Sequence, residues 1–256
     1  MVEIRPIRRD EAEDFLELLC GVFGLDLTRA HSIFFTEPMF DLSRKWALFE
    51  HGKMVSILTT TPLEFGWGKA FGIAGVATRK DRQGKGFGSM LLRQVMEESR
   101  EFGEEGALLF AKEPALYEKV GFQKLDMVIR AELASDPCEP DDPLEWEFVR
   151  QYYKDWAEDH PARLRRDDLR WKYWNWHFRM CSPFQDGYLC YEPGLLRELI
   201  FTQPVERLPV PADCEWYGLM SMAKELSLNI SKPKPDLHIM GHNIPMIPQM
   251  FMTDQF

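Results

Sequence analysis

The chain has 256 residues, room for one large domain or two small ones at roughly 100–200 residues each. An apolar fraction of 45% with 28% charged residues is that of a folded globular protein. Lys and Arg number 31 against 41 Asp and Glu; the balance of −10 excludes a phosphate-neutralising nucleic-acid surface and mildly favours cationic small molecules as partners.

Val2–Ile7 reads as a strand, and Asp10–Gly24 as a helix with Phe15, Leu18, Leu19 and Val22 at helical spacing. Residues 26–44 are mixed, with helical character around Ala30–Phe35. Trp46–Phe49, a His51-Gly52 turn and Met54–Thr61 make a hairpin. Pro62–Phe71 reads as a glycine-containing connection into a strand over Gly72–Thr78. A glycine-dense loop, Asp81–Gly88, then opens a helix that runs to about Phe102. Ala107–Phe110 is a short strand, Pro114–Val120 a short helix stopped by Gly121, and Phe122–Ala131 a strand. Ala134–Pro143 holds three prolines and four acids in ten residues, the chemistry of a linker. Beyond it come helices over Leu144–Glu158 and Asp167–Phe178, strands over Gly187–Tyr191 and Leu196–Thr202, a helix over Glu215–Leu226, and strand-like segments Leu237–Met240 and Met250–Phe256.

Five cysteines, odd in number and without C-x-x-C spacing, argue against a zinc site or a disulfide framework. The N-terminal stretch turns charged at once, unlike a secretory leader, and no run approaches ~18 apolar residues. A cytoplasmic protein without membrane, metal or nucleic-acid partners is the expectation.

The most informative stretch runs from Gly75 to Ser89, between a strand and a helix. Glycines there let backbone N–H groups approach a ligand, and a helix N-terminus is a ready anion site. A P-loop would need glycine at position 79 and Ser or Thr at position 86, where Arg79 and Gly86 stand. A dinucleotide fingerprint built on Gly84 and Gly86 would want glycine at the position of Ser89. What remains is Gln/Arg-x-x-Gly-x-Gly/Ala, with Gln83, Gly86 and Gly88 in place. Downstream lies Pro114-Ala-Leu-Tyr117-Glu-Lys-Val-Gly121-Phe122.

These two segments, in this order, resemble the GNAT family (GCN5-related N-acetyltransferases) over about residues 1–132. The resemblance implies an α/β (α+β) GNAT fold with a central mixed, mostly antiparallel sheet, and acetyl-CoA as cosubstrate. Val76, Ala77 and Thr78 would lie along the pantetheine, and a backbone N–H, that of Val76, would meet the oxyanion. Gln83, Gly84, Lys85, Gly86, Phe87, Gly88 and Ser89 would hold the pyrophosphate. Tyr117 would protonate the departing thiolate. Glu37 and Glu64 are carboxylates on the acceptor side, neither distinguished by context.

Phe71-Gly-Ile-Ala-Gly-Val-Ala-Thr78 and Leu108–Phe122 are most similar to the multi-domain enhanced-intracellular-survival branch. There a second, degenerate GNAT-like domain follows the first, and a terminal carboxylate serves as base. By that resemblance the Phe256 carboxylate is a candidate base. The expected layout is a catalytic domain over 1–133, a linker over 134–143, and a smaller degenerate GNAT-like α/β domain over 144–256 that closes the acceptor site. The second half lacks a Gln-x-x-Gly-x-Gly loop and should not bind CoA. Arg163, Arg165, Arg166 and Arg170 read as a solvated helix face. Trp171, Trp174, Trp176 and His177 could box a cation but read better as core. His238 and His242 have no third ligand. The expected function is acetyl transfer to a primary amine of a small molecule or peptide; the alternative is a non-catalytic acyl-CoA-binding module.

Overall fold

The computed structural model describes residues 1–138, 143–177 and 180–256. Residues 139–142 of the expected linker, and Phe178 at the end of an expected helix, lie outside them.

The N-terminal elements follow from local chemistry. Strand β1 (Val2–Pro6) leads into helix α1 (Ala12–Phe23), which buries Ala12, Phe15, Leu16 and Cys20 on one face. Gly24, left-handed at φ 69°, ends it by donating to the Cys20 carbonyl at 2.8 Å, a conformation that glycine adopts without a Cβ clash. Asp26 caps helix α2 (Leu27–Phe34) by accepting from the Arg29 N–H. Strands β2 (Lys45–Glu50) and β3 (Lys53–Phe65) join through His51 and Gly52, both at positive φ, as a two-residue hairpin turn requires.

β3 and β4 (Gly68–Thr78) form a second hairpin across what reads in sequence as a connection. Leu63 and Phe65 alternate inward with Glu64 outward, so the strand continues through Pro62 and turns only at Gly66-Trp67. Helix α3 (Phe87–Ser99), strand β5 (Gly106–Ala111), the single-turn helix α4 (Ala115–Glu118) and strand β6 (Gln123–Leu133) complete this half.

The later elements are helix α5 (Trp146–Glu158), strand β7 (Leu164–Arg165), helix α6 (Asp168–Trp176), strands β8 (Met180–Phe184), β9 (Gly187–Glu192), β10 (Leu195–Ile200) and β11 (Glu215–Leu219), helix α7 (Met220–Glu225) and strand β12 (Ile230–His242). Glu215–Leu226, expected as one helix, divides into β11 and α7. Trp216–Leu219 is buried throughout, and such a short apolar run carries no period that separates strand from helix. β12 extends well beyond Leu237–Met240; Pro233 and Pro235 fall where its register with β6 shifts, the positions in a ladder that tolerate a missing N–H.

One sheet runs through both halves in the order β1-β2-β3-β4-β5-β12-β6-β11-β10-β9-β8, with β7 on β3. The late strand β12 lies between β5 and β6 and pairs antiparallel with both. β4–β5 and β10–β11 are parallel; the other neighbouring pairs are antiparallel.

Arg166 corrects the reading of the basic run. Its side chain is 0% exposed, with the guanidinium between Glu198 of β10 and Asp254 of the final segment. Nη2 lies 2.7 Å from an oxygen of each carboxylate, and Nε reaches Asp254 at 2.9 Å. Tyr153, Trp171 and Trp174 surround the cation, 3.6–5.6 Å from guanidinium carbon to ring centre. Of the four candidates for a box, Trp171 and Trp174 are core and, with Tyr153, cage the protein's own arginine; Trp176 and His177 pack on Tyr173 instead. Arg170, also buried, donates to the Pro62 carbonyl at 2.7 Å and lies 3.9 Å from Asp254. Two cations and two carboxylates cancel, which makes their burial tolerable.

Met250–Phe256, expected as a strand, is instead a short 3₁₀ turn over Met252–Asp254. Asp254 is committed to Arg166, so the segment turns inward rather than joining the ladder.

Burial alone would raise the Glu198 carboxyl, but Arg166 and the hydroxyls of Thr253 and Tyr188 hold it below the usual glutamate range. A carboxyl lowered on folding contributes stability above its unfolded value, near pH 4.5, and loses it as pH falls through the folded value. Glu198→Gln should therefore lower stability at pH 7 by about 3 kcal/mol. In urea titrations the gap from wild type should narrow steadily below pH 4.5.

Candidate active site

The parallel pairing of β4 with β5 stops early. Partners run only from Ala70–Gly106 to Ile73–Leu109; beyond them β5 pairs with β12 alone, and β4 continues on β3. Residues 74–78 of β4 thus sit inside a large sheet with no strand partner on the β5 side. The two strands part into a cleft in the middle of the protein.

A bulge re-aims β4 at this place. Ile57 pairs with Ala77 and Thr59 with Ala74, so Gly75 and Val76 together oppose one residue of β3. Gly75 has φ 61°, a left-handed conformation suited to glycine. Ala77 is buried with its carbonyl accepting from Ser56 Oγ at 3.1 Å, while Val76 and Thr78 remain half-exposed along the cleft.

The glycine loop follows directly. Gln83 spans it, its side-chain amide donating to the Thr78 carbonyl at 3.1 Å. Gly84 and Gly86 have φ 77° and 81°, and Gly86 begins α3 without any side-chain cap. The first-turn N–H groups of α3 have no acceptor within the helix, so this end is free to donate to an anion. Gly88 lies beside Thr78, where an added Cβ would come within 3.5 Å of its Oγ1. Lys85 is exposed at the rim and Ser89 half-buried. Phe87 turns its ring into the core, leaving only its backbone for a ligand.

Tyr117 on α4 and Val76 on β4 pack on the same apolar cluster, and the Tyr117 ring meets Phe122 edge-on at 6.2 Å. Burial pushes the phenol's pKa up, which keeps it a proton donor at neutral pH.

Phe256 comes to this cleft from the far end of the chain. Its ring lies on Gly72, where an added Cβ would overlap it, and 5.3 Å from the Phe110 ring. It lines a cavity of about 400 Å³ together with Ala74, Gly75, Thr59–Pro62, α1, α2 and α6. Glu37 lies in this cavity, paired with Lys45 at 3.4 Å; Glu64 is exposed on β3 next to β7, outside it. His242 Nδ1 donates to the Gly121 carbonyl at 3.1 Å, and among the described residues no group of side chains could hold a metal ion. No helix of the described residues is long and apolar enough to cross a membrane.

The family model of the acetyltransferase (GNAT) domain matches residues 3–125, from β1 into the start of β6. Residues 3–125 belong to the GNAT acetyltransferases. No curated protein matches the sequence significantly. Among solved structures, a GCN5-related N-acetyltransferase from Kribbella flavida superposes on 94% of this chain and 70% of its own, with TM-score 0.71 at 15% identity. One from Anabaena variabilis covers 94% and 72%, with TM-score 0.67 at 14% identity. Eis1 from Mycobacterium abscessus covers 93% and 73%, with TM-score 0.63 at 14% identity. At these identities the likeness is one of fold, and it extends past the GNAT domain through the second half.

Sequence reasoning missed the groups that hold the final segment in place beside the cleft. Arg166, Glu198 and Asp254 are separated by 32 and 56 positions, and no spacing rule joins them; the one signal was a run of arginines inside a tryptophan-rich segment.

The contact between Gly72 and Phe256 can be measured. Gly72→Ala should cost about 1–3 kcal/mol through overpacking. Phe256→Ala in the same chain should recover most of it, giving a coupling energy in urea unfolding that independent sites would lack.

Proposed function

We propose that this chain transfers an acetyl group from acetyl-CoA to a primary amine by direct attack. The family is one of acetyltransferases, and acetyl-CoA-dependent transfer is its general chemistry. The observation that carries the reading to this site is the unpartnered stretch of β4 at residues 74–78. It leads straight into an uncapped helix N-terminus and packs on the cluster that holds Tyr117. Nothing in the fold needs a sheet interior left open there, whereas a pantetheine arm could pair with it as one more strand does.

In this reading Val76 and Thr78 hydrogen-bond the pantetheine through their backbones. Gly84, Gly86, Gly88 and the first-turn N–H groups of Phe87 and Ser89 receive the pyrophosphate, with Lys85 adding charge and Gln83 bracing the loop. The amine nitrogen attacks the thioester carbon; the C–N bond forms, the C–S bond breaks, and the electron pair leaves on sulfur. The Val76 N–H steadies the carbonyl oxygen as it gains charge. Tyr117 gives its proton to the thiolate and regains one from solvent, and the proton lost by the amine passes to a base and onward to solvent. The products are an amide and the CoA thiol.

For the base we assign Phe256 in a chain that ends there, since its α-carboxylate belongs to the residue that lines the same cavity as Ala74 and Gly75. The expected division into a GNAT domain over 1–133 and a companion over 144–256 fits this use: the companion supplies the segment that returns to the cleft.

Tyr117→Phe should lower kcat about 100-fold while the acetyl-CoA Kd stays within twofold, read by thiol release and calorimetry. Because burial raises the phenol above its ordinary value of 10.0, wild type should show no alkaline fall in kcat from this group below pH 10. Two residues appended after Phe256 should cut kcat at least tenfold; an unchanged kcat would remove the carboxylate from the mechanism. Acetyl-CoA binding without amine-stimulated thiol release would leave a binding module in place of an enzyme.

A further inference from the structure

The cavity beside Ala74 and Gly75 also carries information about the acceptor, and the inference rests on the transfer reading above. Its wall is mainly apolar: Leu16 and Leu19 of α1, Ile33 and Phe34 of α2, Met39, and Leu169 of α6 all line it. The apolar surface continues outward at the mouth. Leu25, Ile33 and Leu169 are 51%, 41% and 44% exposed, large side chains left in water around one opening.

The charged groups in the lining are three cations, Arg44, Lys45 and Arg170, and two carboxylates, Glu37 and Asp41. Each already has a partner within the protein. Glu37 pairs with Lys45, whose ammonium also lies 4.5 Å from the Phe34 ring centre and 5.1 Å from that of Phe40. Arg44 points to Glu104 at 2.7 Å. Asp41 accepts from the Ser43 backbone N–H and hydroxyl. Arg170 is held by Pro62 and Asp254. With its cations paired and the Phe256 carboxylate counted in a chain that ends there, the lining is balanced and holds no surplus of carboxylates to receive a second or third positive charge on the acceptor. The acidic surplus of the whole chain is not expressed here.

We propose that the acceptor is a primary amine carried on a single apolar body, aromatic or branched aliphatic, and that Ile33 and Leu169 determine this preference from the rim. A body of this kind buries its surface against α1, α2 and α6 and presents one nitrogen toward β4. A polyamine or a sugar bearing several ammonium groups would leave charges desolvated against apolar walls, an expensive arrangement. The volume, about 400 Å³, lies in the range of small-molecule sites, roughly 300–1,000 Å³.

The test is thiol release from acetyl-CoA with 2-phenylethylamine and spermidine as acceptors, with the amide identified by mass spectrometry. kcat/KM for 2-phenylethylamine should exceed that for spermidine at least tenfold. Ile33→Asp and Leu169→Asp, both changes at exposed positions, should raise the KM for 2-phenylethylamine at least tenfold. They should alter kcat less than threefold and leave the acetyl-CoA Kd unchanged. Turnover that favours spermidine, or a KM for 2-phenylethylamine indifferent to both variants, overturns the proposal while leaving the transferase reading intact. Thiol release with neither amine, despite bound acetyl-CoA, overturns the transferase reading and the proposal with it.

Discussion

A β-sheet resists being opened in its interior, because every N–H and C=O left without a partner costs free energy unless something else satisfies it. This protein opens its sheet between β4 and β5, and much of the architecture serves to keep that opening in place. β4 stays in the sheet through β3 alone beyond Ile73, with a bulge at Gly75 and Val76 that turns it toward the gap. β5 is held on its other side by β12, a strand that arrives more than a hundred residues later. Without β12, β5 would be an edge strand, free to close on β4 or to leave it.

The second half therefore does more than cover one side. It supplies the strand that holds β5, and through Arg166 it fixes the course of the final segment. A buried guanidinium shared by Glu198 and Asp254 is a poor way to gain stability compared with an apolar core of the same volume. It is a good way to fix a direction, because the planar cation accepts its two carboxylates in only a few geometries. Asp254 lies two residues before Phe256, so the register of that ion pair sets where the Phe256 ring meets Gly72. Arg170 extends the same network to the Pro62 carbonyl on β3, tying the second half to a wall of the cleft.

Much of the first half was legible because its signals are local. The glycine loop, the His51-Gly52 turn, the amphipathic faces of α1 and α3 and the tyrosine segment each lie within a dozen residues. The β3–β4 hairpin was less so, since Gly66 and Gly68 read as a connection although Leu63 and Phe65 alternate as a strand should. The second half misled where burial is complete: β11 has no exposed face to show a period, and Arg166 reads as surface until its aromatic cage is seen. The cavity beside Ala74 and Gly75 was hidden for a further reason. Its walls come from α1, α2, β3, β4, α6 and the final segment, and the net charge of −10 describes the outer surface rather than this lining.

The central claim is that the unpaired stretch of β4 and the start of α3 together receive acetyl-CoA. Amide hydrogen exchange followed by mass spectrometry, with and without saturating acetyl-CoA, tests it most directly. Peptides covering residues 74–78 and 84–90 should exchange at least tenfold more slowly with acetyl-CoA bound, while those in β8–β10 stay unchanged. Equal exchange at 74–78 in both states, under conditions where calorimetry shows binding, would place the cosubstrate elsewhere and contradict the account.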